Sequence, residues 1–145
     1  MKTRVCLFAV LCAFLSTVVA EEGDTRTVIQ LSPQHRSLVL TEMRQFLSGL
    51  QQLSVALSQD DMETVARVAH ALGSPMTHDV PPDLKQALPE GFRKLGFSVH
   101  KDFDQIALDA ESLGDSQHTL SQLGATLSRC VSCHGTYQIR VQGNP

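Results

Sequence analysis

Between Ser32 and Val141 the apolar residues return at steps of three and four. Val39, Met43, Phe46, Leu47, Leu50, Leu53 and Leu57 form one such stripe, which predicts a long amphipathic helix. Ser32-Pro33 predicts its start, with a capping hydroxyl and a proline at the first helical position. Gly49 weakens this helix slightly, but on a packed face it also lets a bulky group approach. Asp60 or Asp61 predicts the cap of a second helix lined by Met62, Val65, Ala66, Ala69 and Leu72 and closed by Gly73. Residues 74–82 read as a loop and 83–88 as a short helical turn. Pro89-Glu90 opens a third long helix, with Phe92, Leu95, Val99, Phe103, Ile106, Ala110 and Leu113 on one face and Gly114-Asp115 as its stop. Ser116 caps a fourth, in which Leu120, Leu123, Leu127, Cys130 or Val131, His134, Tyr137 and Val141 keep the rhythm to an end near Arg140. No segment reads as a strand. The pattern predicts an all-α fold, an antiparallel up-down-up-down four-helix bundle spanning 32–145. The polar, aperiodic stretch 21–31 reads as a flexible or extended lead-in.

The first twenty residues change the compartment. Lys2 and Arg4, an apolar run from Val5 to Leu15, and Val18 and Ala20 ahead of Glu21 read as a signal peptide cleaved after Ala20. The apolar run falls short of the roughly 20 residues a bilayer requires. The expectation is therefore export to the periplasm with no stable membrane span after cleavage. Cys6 and Cys12 leave with the leader, so of the four cysteines only Cys130 and Cys133 remain and no disulfide framework is available. Losing Lys2 and Arg4 takes the formal charge from −3 to −5, which argues against nucleic acid as a partner. The 145 residues less a 20-residue leader leave 125, enough for one core.

Candidate chemistry is concentrated in Cys130-Val131-Ser132-Cys133-His134. Two thiols three positions apart followed by an imidazole form the attachment sequence of haem c. Each thiol can tether one vinyl group, and the adjacent His134 can offer a ring nitrogen to iron. A second axial ligand follows from bundle topology. Met43 is about 15 Å into the first helix, and His134 about 9 Å from the expected end of an antiparallel fourth helix, so the two lie within about one turn in height. Met43 is also a soft thioether on the buried stripe; packing as a core methionine is its ordinary alternative. Met76, in a loop, is the second choice, and Met62 lies at the far end. His100, Tyr137, Leu47 and Leu127 are candidates for the haem surroundings, His100 also as an alternative axial ligand or as a hydrogen-bond donor to a propionate; as an ordinary residue, His100 would be a surface or boundary histidine. His35, His70, His78 and His118 read as solvated. Arg44, Lys101 and Arg129 are candidates to pair with propionates or to face an acidic redox partner, and otherwise read as solvated charge. A thiol redox enzyme or a zinc site on the same cysteines is a weaker reading. The first prefers the pair at a helix start, and the second lacks a fourth ligand.

The chain resembles the class II c-type cytochromes, the cytochrome c′ and cytochrome c-556 group, over about 32 to 141. The resemblance rests on the Cys130–His134 motif with Tyr137 one turn later and, less specifically, on the long first helix with Met43. It implies covalent haem c at Cys130 and Cys133, His134 as proximal ligand, and Met43 over the distal face. It also implies a homodimer through the first two helices. Gln138 departs from the basic residue many cytochromes c′ carry after the tyrosine. A methionine over the distal face is similar to the six-coordinate c-556 type. The expected activity is electron transfer with redox partner proteins, not enzymatic catalysis; the alternative is a gas-binding protein with five-coordinate iron.

Overall fold

The computed structural model describes residues 23–143. The leader reading of 1–20, including cleavage after Ala20, lies outside them. Along the chain come strand β1 (Thr27–Leu31), helix α1 (Pro33–Ser58), α2 (Met62–Leu72), a 3-10 turn (Ser74–Thr77), α3 (Pro82–Ala87), α4 (Glu90–Leu113), α5 (Ser116–Thr136) and strand β2 (Tyr137–Val141). Helices make up most of the described chain, as the apolar periodicity predicts.

The helix starts follow local chemistry. Ser32 Oγ accepts from the His35 amide at 3.1 Å, and Asp61 Oδ1 accepts from the Thr64 amide at 3.0 Å, each satisfying an orphan donor of a first turn. The cap of α5 is Asp115, not Ser116: its carboxylate accepts from the His118 amide at 3.0 Å. Gly114 just before it turns the chain in the left-handed region, at φ 61°, and a carboxylate makes the stronger, charge-assisted cap.

α1 packs on α2, α2 on α4, and α4 on α5, whereas α1 and α5 do not pack closely against one another. Leu53, Val65, Ala69, Phe103 and Ile106 sit in the main core. Gly49 does admit a bulky neighbour, and that neighbour is Leu72. A Cβ on residue 49 would lie 2.5 Å from the Leu72 Cδ1 atom, so the glycine sets how closely α1 approaches α2.

Two expectations are corrected at the chain ends. The fourth long helix stops at Thr136, and residues 137–141 form a strand. Against the expectation of no strand, the stretch ahead of α1 takes the extended of its two readings, as Thr27–Leu31 pairs in parallel with β2, Thr27 opposite Tyr137 and Leu31 opposite Val141. A two-stranded ribbon is marginal alone. This one is held by burial of Ile29 and Leu31 with Val39 of α1 and Leu84 of α3, against which Phe92, Tyr137 and Ile139 pack.

Candidate functional site

Contacts orient the helix faces around the cysteine motif. On α1, Gly49 and Ala56 are buried, with Gly49 against Leu72 of α2. Phe46 faces α4, its ring 5.7 Å from Phe103 and 5.2 Å from His100. Each residue advances about 100° around a helix. Leu40, Met43 and Leu47 therefore fall on the flank of α1 turned away from α2. Leu40 and Met43 are half-buried and Leu47 is 70% exposed.

The same construction applies to α5. Gln122 donates to Asp109 and Arg129 pairs with Asp102, which marks the side facing α4. Thr119, Leu123 and Thr126 are buried, and half-buried Cys130 and Cys133 continue that inward face. Leu120, Leu127, Val131 and His134 occupy the flank turned away from α4. All four are exposed, Val131 by 73%. The imidazole thus shares its flank with three apolar side chains, next to two thiols that face inward.

Burial raises the Cys130 thiol above its ordinary range, aided by the nearby Asp102 carboxylate. Burial also raises Cys133, aided by Cys130. Low-pKa reactive thiols show the opposite shift. Among the described residues no three His, Cys, Asp or Glu side chains are grouped to hold a metal ion.

The remaining candidates are distributed unevenly. Tyr137 opens β2 instead of extending α5. Its ring packs edge-on against Phe92 at 5.6 Å, and Gly91 leaves room for its hydroxyl, which would lie 2.7 Å from a Cβ there. His100 is buried, at 3% exposure, and so is not a surface histidine. Its Nδ1 meets the Leu72 carbonyl at 2.8 Å and its Nε2 meets Glu42 Oε1 at 3.1 Å, so both ring nitrogens are engaged within the protein. Met62 and Met76 both pack against the main core. His35 and His118 are paired with Asp83 and Asp109, while His70 and His78 are exposed. Arg129 is engaged by Asp102 and Lys101 lies over the Phe97 ring at 5.5 Å. Arg44 is exposed.

Arg26 is a residue the sequence pattern did not single out. Its Nη1 donates to the His134 carbonyl at 3.2 Å, and its own carbonyl accepts from Gln138 Nε2 at 3.1 Å. The perfect alternation of Tyr137-Gln138-Ile139-Arg140-Val141 was the signal for the strand that makes this possible. The step of four from Cys133 to Tyr137 and on to Val141 satisfied a helix equally well.

No helix of the described residues is long and apolar enough to cross a membrane. No family model, curated protein or solved structure matches the chain.

Proposed function

We propose that this chain is an exported monohaem cytochrome c that carries electrons, with Cys130 and Cys133 holding the haem and His134 and Met43 as axial ligands. The observation that carries the reading is a pair of partly exposed apolar flanks with matching donors. One is Leu40, Met43 and Leu47 on α1; the other is Leu127, Val131 and His134 on α5. In this reading α1, α2, α4 and α5 form an antiparallel four-helix bundle, supported by the packing order α1–α2–α4–α5, and the two flanks would hold a flat apolar group between them. The donor set suits haem c: two thiols on one helix face, an imidazole next in sequence, and a thioether on another helix.

The strand ribbon bears on the height of Met43. β1 runs parallel to β2 and carries the chain four residues, about 13 Å, beyond the level of Tyr137. α1 then returns beside the ribbon, with Val39 in the cluster of Ile29 and Leu31. Met43 lies about 15 Å along α1 from Pro33, which returns it to about the level of the end of α5. The earlier end of the helix at Thr136 is thus compensated by the strand offset.

When bound, haem supplies reversible one-electron exchange at iron. The chain's residues do the rest. Cys130 and Cys133 would hold the group, each as a thioether to one of its vinyl carbons. His134 and Met43 would offer nitrogen and sulfur to the iron, a pairing that would raise its potential. Leu40, Leu47, Leu127 and Val131 exclude water. Redox proteins are the expected partners, and the leader implies a periplasmic setting.

The test is the absorption spectrum of protein matured with a bacterial haem-attachment system, in both redox states. The expected result is a haem c spectrum that survives acid–acetone extraction, with low-spin iron and a sulfur-to-iron charge-transfer band when oxidised. Colourless protein or extractable pigment overturns the reading. A high-spin spectrum with rapid carbon monoxide binding keeps the haem but replaces electron transfer with gas binding.

A further inference from the structure

We propose that His100 is a positioning residue that fixes the rotation of α1, and thereby the direction in which the flank bearing Met43 faces. Its role in ligation rests on the haem reading above; its role in orienting the helix does not. His100 stands on α4 and reaches two other helices at once. Nδ1 points at the Leu72 carbonyl in the last turn of α2, at 2.8 Å. Nε2 points at the Glu42 carboxylate of α1, at 3.1 Å. Both partners accept, so a ring that donates to both is an imidazolium paired with Glu42. Burial opposes that charge, but the hydrogen bonds to Glu42 and Leu72 and the Glu42 charge outweigh it and raise the imidazole above its ordinary value.

The geometry explains why the link controls Met43. Apolar packing against α2 and α4 is non-directional and tolerates some rotation of a helix about its axis. A directional hydrogen bond to a buried imidazole does not, because breaking it leaves that desolvated group unpaired. With Glu42 held against α4, the next residue must lie about 100° around the helix. That direction leads away from α2, onto the flank shared by Leu40 and Leu47. Phe46, one turn beyond Glu42, packs beside both His100 and Phe103 and helps to bury the imidazole. Glu42 is the only carboxylate on α1, and it occupies the position at which the helix meets the buried imidazole.

The experiment compares full-length holoprotein of the wild type, His100→Gln and Glu42→Gln. Far-UV circular dichroism checks that each folds, and Glu42→Gln serves if His100→Gln does not. Two readouts follow. Amide hydrogen exchange across residues 36–50 should accelerate about tenfold in either variant, the factor that loss of one charged hydrogen bond corresponds to, with residues 103–113 unchanged. The sulfur-to-iron band of the oxidised protein should weaken, and carbon monoxide should bind the reduced protein about tenfold faster. Wild-type exchange and an undiminished band in both variants overturn the proposal. A wild type that lacks the band, together with faster exchange in the variants, overturns Met43 ligation and leaves the positioning role standing.

Discussion

Arg26 and His134 lie 108 positions apart in sequence, yet the Arg26 guanidinium donates to the His134 carbonyl at 3.2 Å. The last carbonyls of a helix have no partner within it, and a cation there also meets the negative end of the helix dipole. The N-terminal segment thus caps the turn that carries the proposed proximal ligand. Replacing Arg26 with Ala should leave the helices intact and free that turn. The check is amide exchange, expected to rise at residues 136–139 and to stay at its wild-type rate within α4. Unchanged exchange at 136–139 removes Arg26 from this role.

The ribbon that brings Arg26 there depends on burial. Leu31 is 0% exposed beside Ile29, Val39 and Leu84. Leu31→Ala should cost about 2–5 kcal/mol, measured by chemical denaturation. It should also make the C-terminal strand susceptible to proteolysis, because β2 has no other strand to pair with among the described residues. A loss well under 1 kcal/mol would mean that the ribbon does not contribute to the folded state.

Gly49 tests the approach of α1 to α2. Ala is better than Gly in a helix by about 1 kcal/mol, but its methyl would overlap the Leu72 side chain, whose Cγ lies 2.9 Å from the ideal Cβ position. Overpacking of this kind costs about 1–3 kcal/mol. Leu72 is itself in the core and has little room to turn. The net expectation for Gly49→Ala is a loss of about 1 kcal/mol by denaturation, and a gain would show that Leu72 moves freely.

The pH dependence of stability carries the signature of His100. Its proton is held more tightly in the folded chain than at the ordinary value of 6.5. The resulting stabilisation is fully present below that value and is lost as pH rises through the higher folded one. The groups around the ring are Glu42 from α1, the Leu72 carbonyl and Gly73 backbone at the end of α2, and Asp104 on α4. Asp104 acts in the opposite direction. Burial alone would raise its carboxyl, but hydrogen bonds from Ser74 lower it below 3.8, so its contribution is present above that value and is lost as pH falls through the lower one. Melting temperatures recorded from pH 6 to 9 should therefore decline in the wild type and stay flatter in His100→Gln. Parallel curves would count against a charged His100.

Met43→Leu separates ligand from packing. Leucine conserves volume closely, so stability should change by less than about 1.5 kcal/mol. The sulfur-to-iron band should vanish and carbon monoxide should bind rapidly. A spectrum identical to the wild type would return Met43 to the role of core filler.

The helices were legible in order and nearly in extent because their information is local. Apolar residues every three or four positions, Ser32-Pro33, Asp61, Gly73 and Gly114 act within one or two turns of themselves. The Cys130–His134 motif was legible for the same reason: the chemistry proposed for it requires close sequence spacing. What the linear pattern left open depends on partners distant in the chain. Tyr137–Val141 satisfies strand and helix periods alike, and only the arrival of Thr27–Leu31 beside it selects the strand. His100 reads as an unremarkable polar residue until Leu72 and Glu42 present two acceptors to it from other helices. Likewise, a heptad stripe shows that a helix has an apolar side, but not that this side is divided between a packed face and a partly exposed flank. Short-range spacing thus set the elements and the donor set. Long-range packing set which donors share a flank, because burial and pairing depend on neighbours far away along the chain.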